Sequence, residues 1–212
     1  MLKEFPEAVL LIVIFCAVGT SAQIKKLTSD EFYAAKNAAI EASGSVNRRA
    51  KTIERTYKKG KVVSSSTETD EFIMPDRHRS CLLLNDSKGI RIESETISIN
   101  SIRYSRGEDG IWRASRSVRI GNLFRRETSA TVGISSLYTS ESALLDGDEV
   151  TIIKSIQNNK LPVPSTLTVY IGENGLILRM EFIQKFAEQG DLERITTYEY
   201  NPKDLKIEAP IK

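Results

Sequence analysis

The chain has 212 residues, of which 27% are charged and 40% hydrophobic, a globular composition that excludes a disordered or collagen-like protein. Its 30 Lys and Arg against 28 Asp and Glu give a net charge of +2, which predicts no polyanionic partner such as a nucleic acid. Two Cys and one His exclude a Cys/His zinc framework and a disulfide scaffold, and they leave little material for base catalysis.

The N-terminus has the layout of a secretory signal peptide. Lys3 precedes an apolar run from Ala8 to Gly19, and the small residues Thr20-Ser21-Ala22 follow it. The run is shorter than the ~20 residues that a membrane-spanning helix needs. We therefore predict a cleaved signal peptide over residues 1–22, with a retained membrane anchor as the alternative. Residues 23–212 are predicted to form a single domain.

The first predicted element of that domain is an amphipathic helix over Glu31–Ala42. Thr28-Ser29-Asp30 provide N-cap candidates before it, and Ser43-Gly44 end the run. Phe32 and Ala39 are among the apolar residues that recur at helical spacing. The apolar face is thin, and it suits a helix that lies on a sheet.

From residue 50 onward, short runs rich in Val, Ile, Thr and Tyr alternate with turns that contain Gly. This pattern predicts a mainly β domain built from antiparallel hairpins, one of them turning at Lys59-Gly60. The predicted strands are 51–58, 61–73, 79–85, 89–94, 96–106, 111–115, 149–157, 166–172, 176–185 and 192–200.

The segment Arg116–Gly147 interrupts the strand pattern because its periodicity is mixed. A long structureless stretch inside a compact domain is unusual, so we predict a loop with a short helix that covers the sheet as a lid. Asp146-Gly147-Asp148 is interpreted as a turn, since the remaining ligands of a calcium loop are missing.

Asn174-Gly175 provides a strong hairpin signal, because both central positions of a type I′ turn require positive φ. A two-residue loop at this point fixes the register and puts six apolar residues on one face. The predicted cross-strand pairs are Ile171 with Leu178, Val169 with Met180, and Leu167 with Phe182. These six residues are candidate walls of a ligand cavity, and a filled core is the alternative interpretation.

The sequence contains no G-x-S-x-G elbow, P-loop, H-E-x-x-H or EF-hand loop. His78 is interpreted as a solvated residue at the start of a strand, since a catalytic His needs an orienting partner and a nucleophile. Acidic residues that alternate along strands are predicted to face solvent, namely Glu93, Glu95, Glu68, Asp70 and Glu71. We therefore predict a protein that is not an enzyme and has no cofactor or metal.

Three passages in chain order resemble the LolA/LppX-like proteins, a superfamily of bacterial periplasmic lipoprotein and lipid carriers. The first is the apolar strand and Pro-Asp-Arg of Phe72–Arg79, and the second is the hairpin of Ile97–Arg113, with Tyr104 and Trp112. The third comprises the C-terminal strands, from Thr168 to the closing Ile-x-x-Pro at Ile207–Pro210. The resemblance covers most of residues 28–212.

The resemblance implies a strongly curved antiparallel sheet, an open half-barrel, whose mouth is covered by the N-terminal helix and a mid-chain lid. It implies an apolar concavity that holds a lipid or the acyl chains of a lipoprotein, and it adds Tyr104 and Trp112 to the six cavity candidates. The expected protein is bacterial, periplasmic or otherwise extracytoplasmic, and monomeric, and it meets a membrane-associated donor or acceptor protein. An extracytoplasmic interaction or sensor domain on the same scaffold, without a transport role, is the alternative.

Overall fold

An antiparallel sheet of twelve strands forms the body of the protein, and a helix lies on one of its faces. The computed structural model describes residues 23–86, 89–116, 136–157, 164–186 and 190–211. The predicted signal peptide and the first part of the predicted lid fall outside these residues. No helix in the described ranges is both long and apolar enough to cross a bilayer.

One helix and twelve strands follow one another along the chain. They are β1 Lys25–Leu27, α1 Ser29–Gly44, β2 Arg48–Lys58, β3 Lys61–Ile73, β4 Arg77–Asp86, β5 Gly89–Ile99, β6 Ile102–Arg106, β7 Arg113–Arg116, β8 Ser136–Leu145, β9 Asp148–Gln157, β10 Ser165–Gly172, β11 Ile177–Phe186 and β12 Gly190–Tyr200, all within the described residues.

The order of the strands across the sheet is β1-β8-β9-β10-β11-β12-β2-β3-β4-β5-β6-β7. Neighbouring strands pair antiparallel throughout, and the last strand, β12, lies in the middle beside β2. The edge strands β1 and β7 do not pair with each other, so the sheet stays open. The predicted mainly β fold, an open half-barrel with a helix against it, is confirmed.

Helix α1 begins at a capping box. The backbone N–H of Glu31 donates to Thr28 Oγ1 at 3.2 Å, and the backbone N–H of Thr28 donates to Glu31 Oε2 at 2.7 Å. The helix buries Phe32 and Ala39 against the sheet, where they form the core with Ile153, Val169 and Ile177. The predicted helix is confirmed, with its start two residues earlier than the sequence pattern indicated.

The hairpin at Asn174-Gly175 differs from the prediction in its loop. The backbone N–H of Gly172 donates to the carbonyl of Leu176 at 2.9 Å, so the loop has three residues, and of them only Gly175 has positive φ. This is a type I turn followed by a left-handed Gly, and the predicted two-residue type I′ turn is wrong. A bulge then places Ile171 opposite Ile177 and not Leu178, while the predicted pairs Val169–Met180 and Leu167–Phe182 are confirmed.

The predicted loop and short helix over Arg116–Gly147 are wrong in the described part. Residues Ser136–Leu145 form strand β8, which pairs with β9 along its whole length and with β1. The turn after β8 is Asp146-Gly147, both with positive φ, as in the preferred Asp-Gly hairpin. The local pattern of this Ser-rich segment is a weak strand signal, and the segment becomes a strand because β9 and β1 pair with it. The Asp146-Gly147 turn was the one local signal from which this hairpin could have been predicted.

A ladder of alternating charges crosses the face of the sheet opposite α1. Its members, one on each of six neighbouring strands from β12 to β6, are Glu199, Arg49, Glu71, Arg79, Glu95 and Arg106. Glu95 lies within 2.7 Å of Arg79 and 2.6 Å of Arg106, and its side chain is 3% exposed. The prediction that Glu71 and Glu95 face solvent is therefore wrong, because arginines from the adjacent strands cover both carboxylates.

Replacing Glu95 by Ala should lower the free energy of unfolding by about 2–4 kcal/mol, since two arginines lose a buried partner. Urea denaturation followed by circular dichroism measures this change. Glu208→Ala is the matched control, because Glu208 pairs with Lys206 while both side chains are exposed, and its unfolding midpoint should equal that of wild type. Equal midpoints for both variants would show that the ladder does not stabilise the sheet.

Gly190 begins β12 at a point where the backbone of β2 leaves no room for a side chain. A Cβ added there would lie 1.8 Å from the carbonyl oxygen of Tyr57, and φ is +97°. Gly147 has nearly the same φ, +99°, and open space around it. Gly190→Ala should therefore destabilise the protein by about 1–3 kcal/mol more than Gly147→Ala, as urea midpoints will show. Similar losses for the two variants would mean that the β2–β12 approach is looser than described.

Candidate functional site

We call the face of the sheet that carries α1 the inner face and the opposite one the outer face. The register of the strands decides which side chains lie on each. Paired residues of antiparallel strands point to the same side of the sheet. Val169 on β10 pairs with Met180, Met180 with Thr196, and Thr196 with Thr52. These residues therefore lie on the inner face, from the part under the helix to the centre of the sheet.

Four of the six predicted cavity residues form one cluster under or beside α1. Val169 is completely buried in the core with Phe32, and Leu167, Ile171 and Met180 pack against that core while they remain half-buried. The first turns of the helix therefore cover part of the face that the sequence indicated. The structure brings these four residues together, and it leaves open side-chain surface on three of them.

Leu178 and Phe182 lie at the two ends of this cluster. The bulge turns Ile177 into the core in place of Leu178, which packs on Gly172 at the hairpin loop. Phe182 pairs with Leu167 and is half-buried near the other end of β11. Of the two, Phe182 continues the apolar part of the inner face beyond the core.

Tyr104 and Trp112 lie far from the other six candidates. Tyr104 on β6 pairs with Ile97, and the register puts both on the outer face. Trp112 follows β6, and the guanidinium of Arg106 from the charge ladder lies 5.1 Å from its ring centroid. Six strands separate β6 from β10 in the sheet order, so the structure does not bring these aromatics to the apolar cluster.

The inner face becomes mainly polar over β12, β2 and β3, while Leu82 of β4, which pairs with Glu68, is an apolar residue of the same face. The hydroxyls of Thr196 and Thr52 are 2.9 Å apart, and Arg194 donates to Glu54 at 2.8 Å. Ser80 on β4 donates to Glu68 on β3 at 3.0 Å. These side chains are half-buried or exposed, and they form a polar floor beside the apolar cluster. The inner face is thus amphipathic across the strands.

Arg48 at the start of β2 holds the carboxyl end of α1. Its guanidinium donates to the carbonyls of Ser43, Gly44 and Val46 at 3.2–3.4 Å, and it stacks on the ring of Phe72 at 4.0 Å. A cation among the last carbonyls of a helix also interacts favourably with the helix dipole. Burial lowers the pKa of Arg48, which measures the cost of taking this cation out of water.

Two tyrosines of β12 contact the residues of β11 that lie under the helix. Tyr200 Oη donates to the carbonyl of Ile177 at 2.6 Å, and the backbone N–H of Ile177 donates to Ser43 Oγ at 2.9 Å. Tyr198 Oη lies 3.4 Å from the sulfur of Met180. Burial raises the pKa of both tyrosines, so their hydroxyls stay protonated and can donate at physiological pH.

His78 is not the solvated residue that the sequence suggested. Its ring stacks on Phe72 at 4.3 Å, and Nε2 lies 3.0 Å from Asp70 Oδ1. The side chain is 13% exposed. Sequence reasoning missed this pair because its two residues meet across the β3–β4 hairpin. Within the described ranges, no group of His, Cys, Asp and Glu is arranged to hold a metal ion.

Solved structures of similar fold are known from several bacteria, although no family model and no curated protein sequence matches the chain. LprF from Mycobacterium bovis has a TM-score of 0.46 and 11% identity, over 85% of this chain and 97% of LprF. A LolA superfamily protein from Nitrosomonas europaea has a TM-score of 0.32 and 10% identity, over 86% and 94%. An outer membrane lipoprotein-sorting protein domain from Vibrio parahaemolyticus has a TM-score of 0.32 and 6% identity, over 82% and 94%. At these identities the similarity is one of fold alone.

Replacing Arg48 by Met should lower the free energy of unfolding by about 2–4 kcal/mol, because two helix carbonyls and the carbonyl of Val46 lose a buried donor. Arg48→Lys should lose part of this, since a lysine ammonium can donate to the carbonyls but has no planar group to stack on Phe72. Urea denaturation measures both effects. Arg194→Met, on the neighbouring strand, is the control, and because Arg194 is half exposed it should cost at most about 1 kcal/mol. Equal losses for Arg48 and Arg194 would contradict the role of Arg48 as the anchor of α1.

Proposed function

We propose that this protein is an exported carrier or binding protein that holds a lipid, or the acyl chains of a lipoprotein, on the inner face beside α1. The observation that carries the proposal is the incomplete cover of that face. Helix α1 has its main contacts with β1, β8, β9 and β11, which are only part of a twelve-stranded sheet. The apolar surface next to the helix is where an acyl chain would lie.

Dimensions support this interpretation. A helix of 16 residues is roughly 24 Å long and about 10 Å wide with its side chains. Twelve strands at about 4.8 Å spacing extend over roughly 50 Å along the curve of the sheet. The main contacts of the helix fall within the first five strands of the sheet order, β1 to β11, and the other seven strands have none of them. Among the described residues, the remainder of the inner face has no helix above it.

The apolar boundary of the covered region provides the contacts that a hydrocarbon chain requires. Leu167, Met180 and Phe182 adjoin one another across β10 and β11, and all three are half-buried. Each methylene that a ligand buries there contributes about 0.8 kcal/mol, so a long acyl chain binds without a charged anchor. The flexible thioether of Met180 suits a wall that adapts to different chains.

The polar floor on β12, β2 and β3 indicates that the ligand is an amphiphile. A chain that lies along Leu167 and Phe182 brings its head group over Thr52 and Thr196, next to the Glu54–Arg194 pair. Hydroxyls and paired charges can hydrogen-bond a polar head group, and they would lose their hydration under a hydrocarbon chain. The face therefore favours an amphiphile whose chain lies on the apolar cluster and whose head group lies on the polar floor. Export, predicted from residues 1–22, fits a protein that meets such amphiphiles at a membrane.

Replacing Phe182 by Ser tests the proposed site. Two methylenes that lose their contacts, at about 0.8 kcal/mol each, should weaken the binding of a fluorescent fatty acid roughly tenfold. Fluorescence titration measures the Kd, and circular dichroism melts verify that the variant is folded. Ile183→Ser is the matched control, because Ile183 follows on the same strand, points to the outer face and is 37% exposed. Its Kd should equal that of wild type.

Two results would contradict the proposal. Wild-type affinity in folded Phe182→Ser would show that the inner face beside α1 is not the site. Absence of acyl-chain binding by the wild-type protein, tested also by mass spectrometry of organic extracts, would favour the interaction or sensor domain that the sequence left as the alternative.

A further inference from the structure

The hairpin that joins β2 to β3 has an apolar and cationic tip, which we define as Lys58–Val63. The tip contains Lys58, Lys59 and Lys61, and the sequence has no acidic residue between Glu54 and Glu68. All six residues of the tip are exposed, with Val62 and Val63 at 51% and 55%. Among the described residues no ion pair involves the three lysines.

The tip projects beyond the neighbouring strands. Pairing of β3 with β4 begins only at Ser65, and pairing of β2 with β12 ends at Tyr57. At a rise of about 3.3 Å per residue, the part of β3 that has no partner on β4, Lys61–Ser64, is roughly 10 Å long. A bulge opposite Thr56 and Tyr57 leaves Val63 without a cross-strand partner, while Val62 pairs with Tyr57, and both valines are more than half exposed.

The sequence of the tip does not serve the stability of the hairpin. Lys58 pairs directly across the strands with Lys61, and like charges in that position repel each other. Lys59 occupies a left-handed turn position with φ of +52°, where Asn or Asp is normally preferred. A tip selected for folding alone would carry neither feature, so these residues point to a partner outside the chain.

The next hairpin extends the same surface. Ile90 and Ile92 of β5 lie at the same end of the sheet and are 74% and 42% exposed. At the opposite end the β8–β9 hairpin carries exposed Leu144 beside Asp146 and Asp148. At the end of the tip the described acids include Asp191, opposite Tyr57, and Glu108, in an ion pair with Arg91, and both lie outside the six residues of the tip. The net charge of +2 averages over both ends, and it conceals a local cation cluster that has apolar residues at its centre.

We propose that the β2–β3 tip docks the protein on the surface of an anionic lipid bilayer. The lysines pair with lipid phosphates, and Val62 and Val63 enter the interface between head groups and acyl chains. Exposed apolar side chains flanked by basic ones are the chemistry that such an interface binds. An acidic protein would need a pocket shaped for the two valines between its acidic groups, whereas the interface of head groups and acyl chains accepts them without one. The inference goes beyond the proposed carrier function, since it needs no ligand on the inner face.

The test places a tryptophan at the tip of the full chain, in a background in which the one native tryptophan is removed by Trp112→Phe. With vesicles of phosphatidylglycerol and phosphatidylcholine, Val63→Trp emission should shift to shorter wavelength. With pure phosphatidylcholine the shift should be much smaller. Leu144→Trp is the matched control, an exposed apolar position at the tip of a hairpin with acidic neighbours, and its emission should not change.

The charges are tested by replacing the three lysines with Gln. Vesicle partitioning should fall roughly a hundredfold, from about fivefold for each basic residue at an anionic surface. The control variant changes the exposed Lys51, Lys203 and Lys206 to Gln, which removes the same charge elsewhere and should partition like wild type. An unshifted Val63→Trp spectrum, an equal shift at Leu144→Trp, or equal losses in the two lysine variants would overturn the proposal. Fatty-acid binding is measured separately, so failure of the docking test leaves the carrier function to its own test.

Discussion

The position of α1 depends on a buried cation at its carboxyl end. Arg48 donates hydrogen bonds to the carbonyls of Ser43 and Gly44, at the end of the helix, and of Val46, just beyond it. The ring of Phe72, from the adjacent strand, stacks on its guanidinium. Because Arg48 is also the first residue of β2, the helix is fixed to the centre of the sheet and must run back over β9 to β11. The cost of burying this charge is offset by hydrogen bonds from Nη1 to these carbonyls and by the stacking of the planar guanidinium on Phe72.

That placement divides the inner face into two chemically different parts. Under the helix, Phe32 and Val169 form an ordinary packed core, and just beyond it the half-buried Phe182 continues the apolar surface. Across β12 the same face turns polar, with the Thr52–Thr196 pair at the transition. Among the described residues nothing but α1 lies on this face, and α1 leaves the transition uncovered, which is why we propose an amphiphile as the ligand.

The outer face is held together in a different way. A sheet normally gains stability by burying a second apolar layer, and in this protein alternating charges span six neighbouring strands instead. Glu95 shows the arrangement best, since two arginines from flanking strands shield it from water. The third surface, at the β2–β3 tip, differs again because its lysines repel one another and its valines remain exposed. The charge ladder that stabilises the sheet and the proposed docking surface thereby lie on separate parts of the sheet.

The sequence by itself determined what depends on local chemistry. The capping box at Thr28, the turn at Lys59-Gly60 and the period-two pairing of Val169 with Met180 follow from capping, turn residues and alternation along a hairpin, and all three were predictable. Tertiary structure decided the rest. Strand β8 forms because β9 and β1 pair with it, and the partners that bury Glu95 and His78 come from adjacent strands. The apolar cluster could be predicted as a face, but its cover by α1 and the distance to Tyr104 and Trp112 could not, because alternation along a strand does not specify which strands become neighbours or what lies on them.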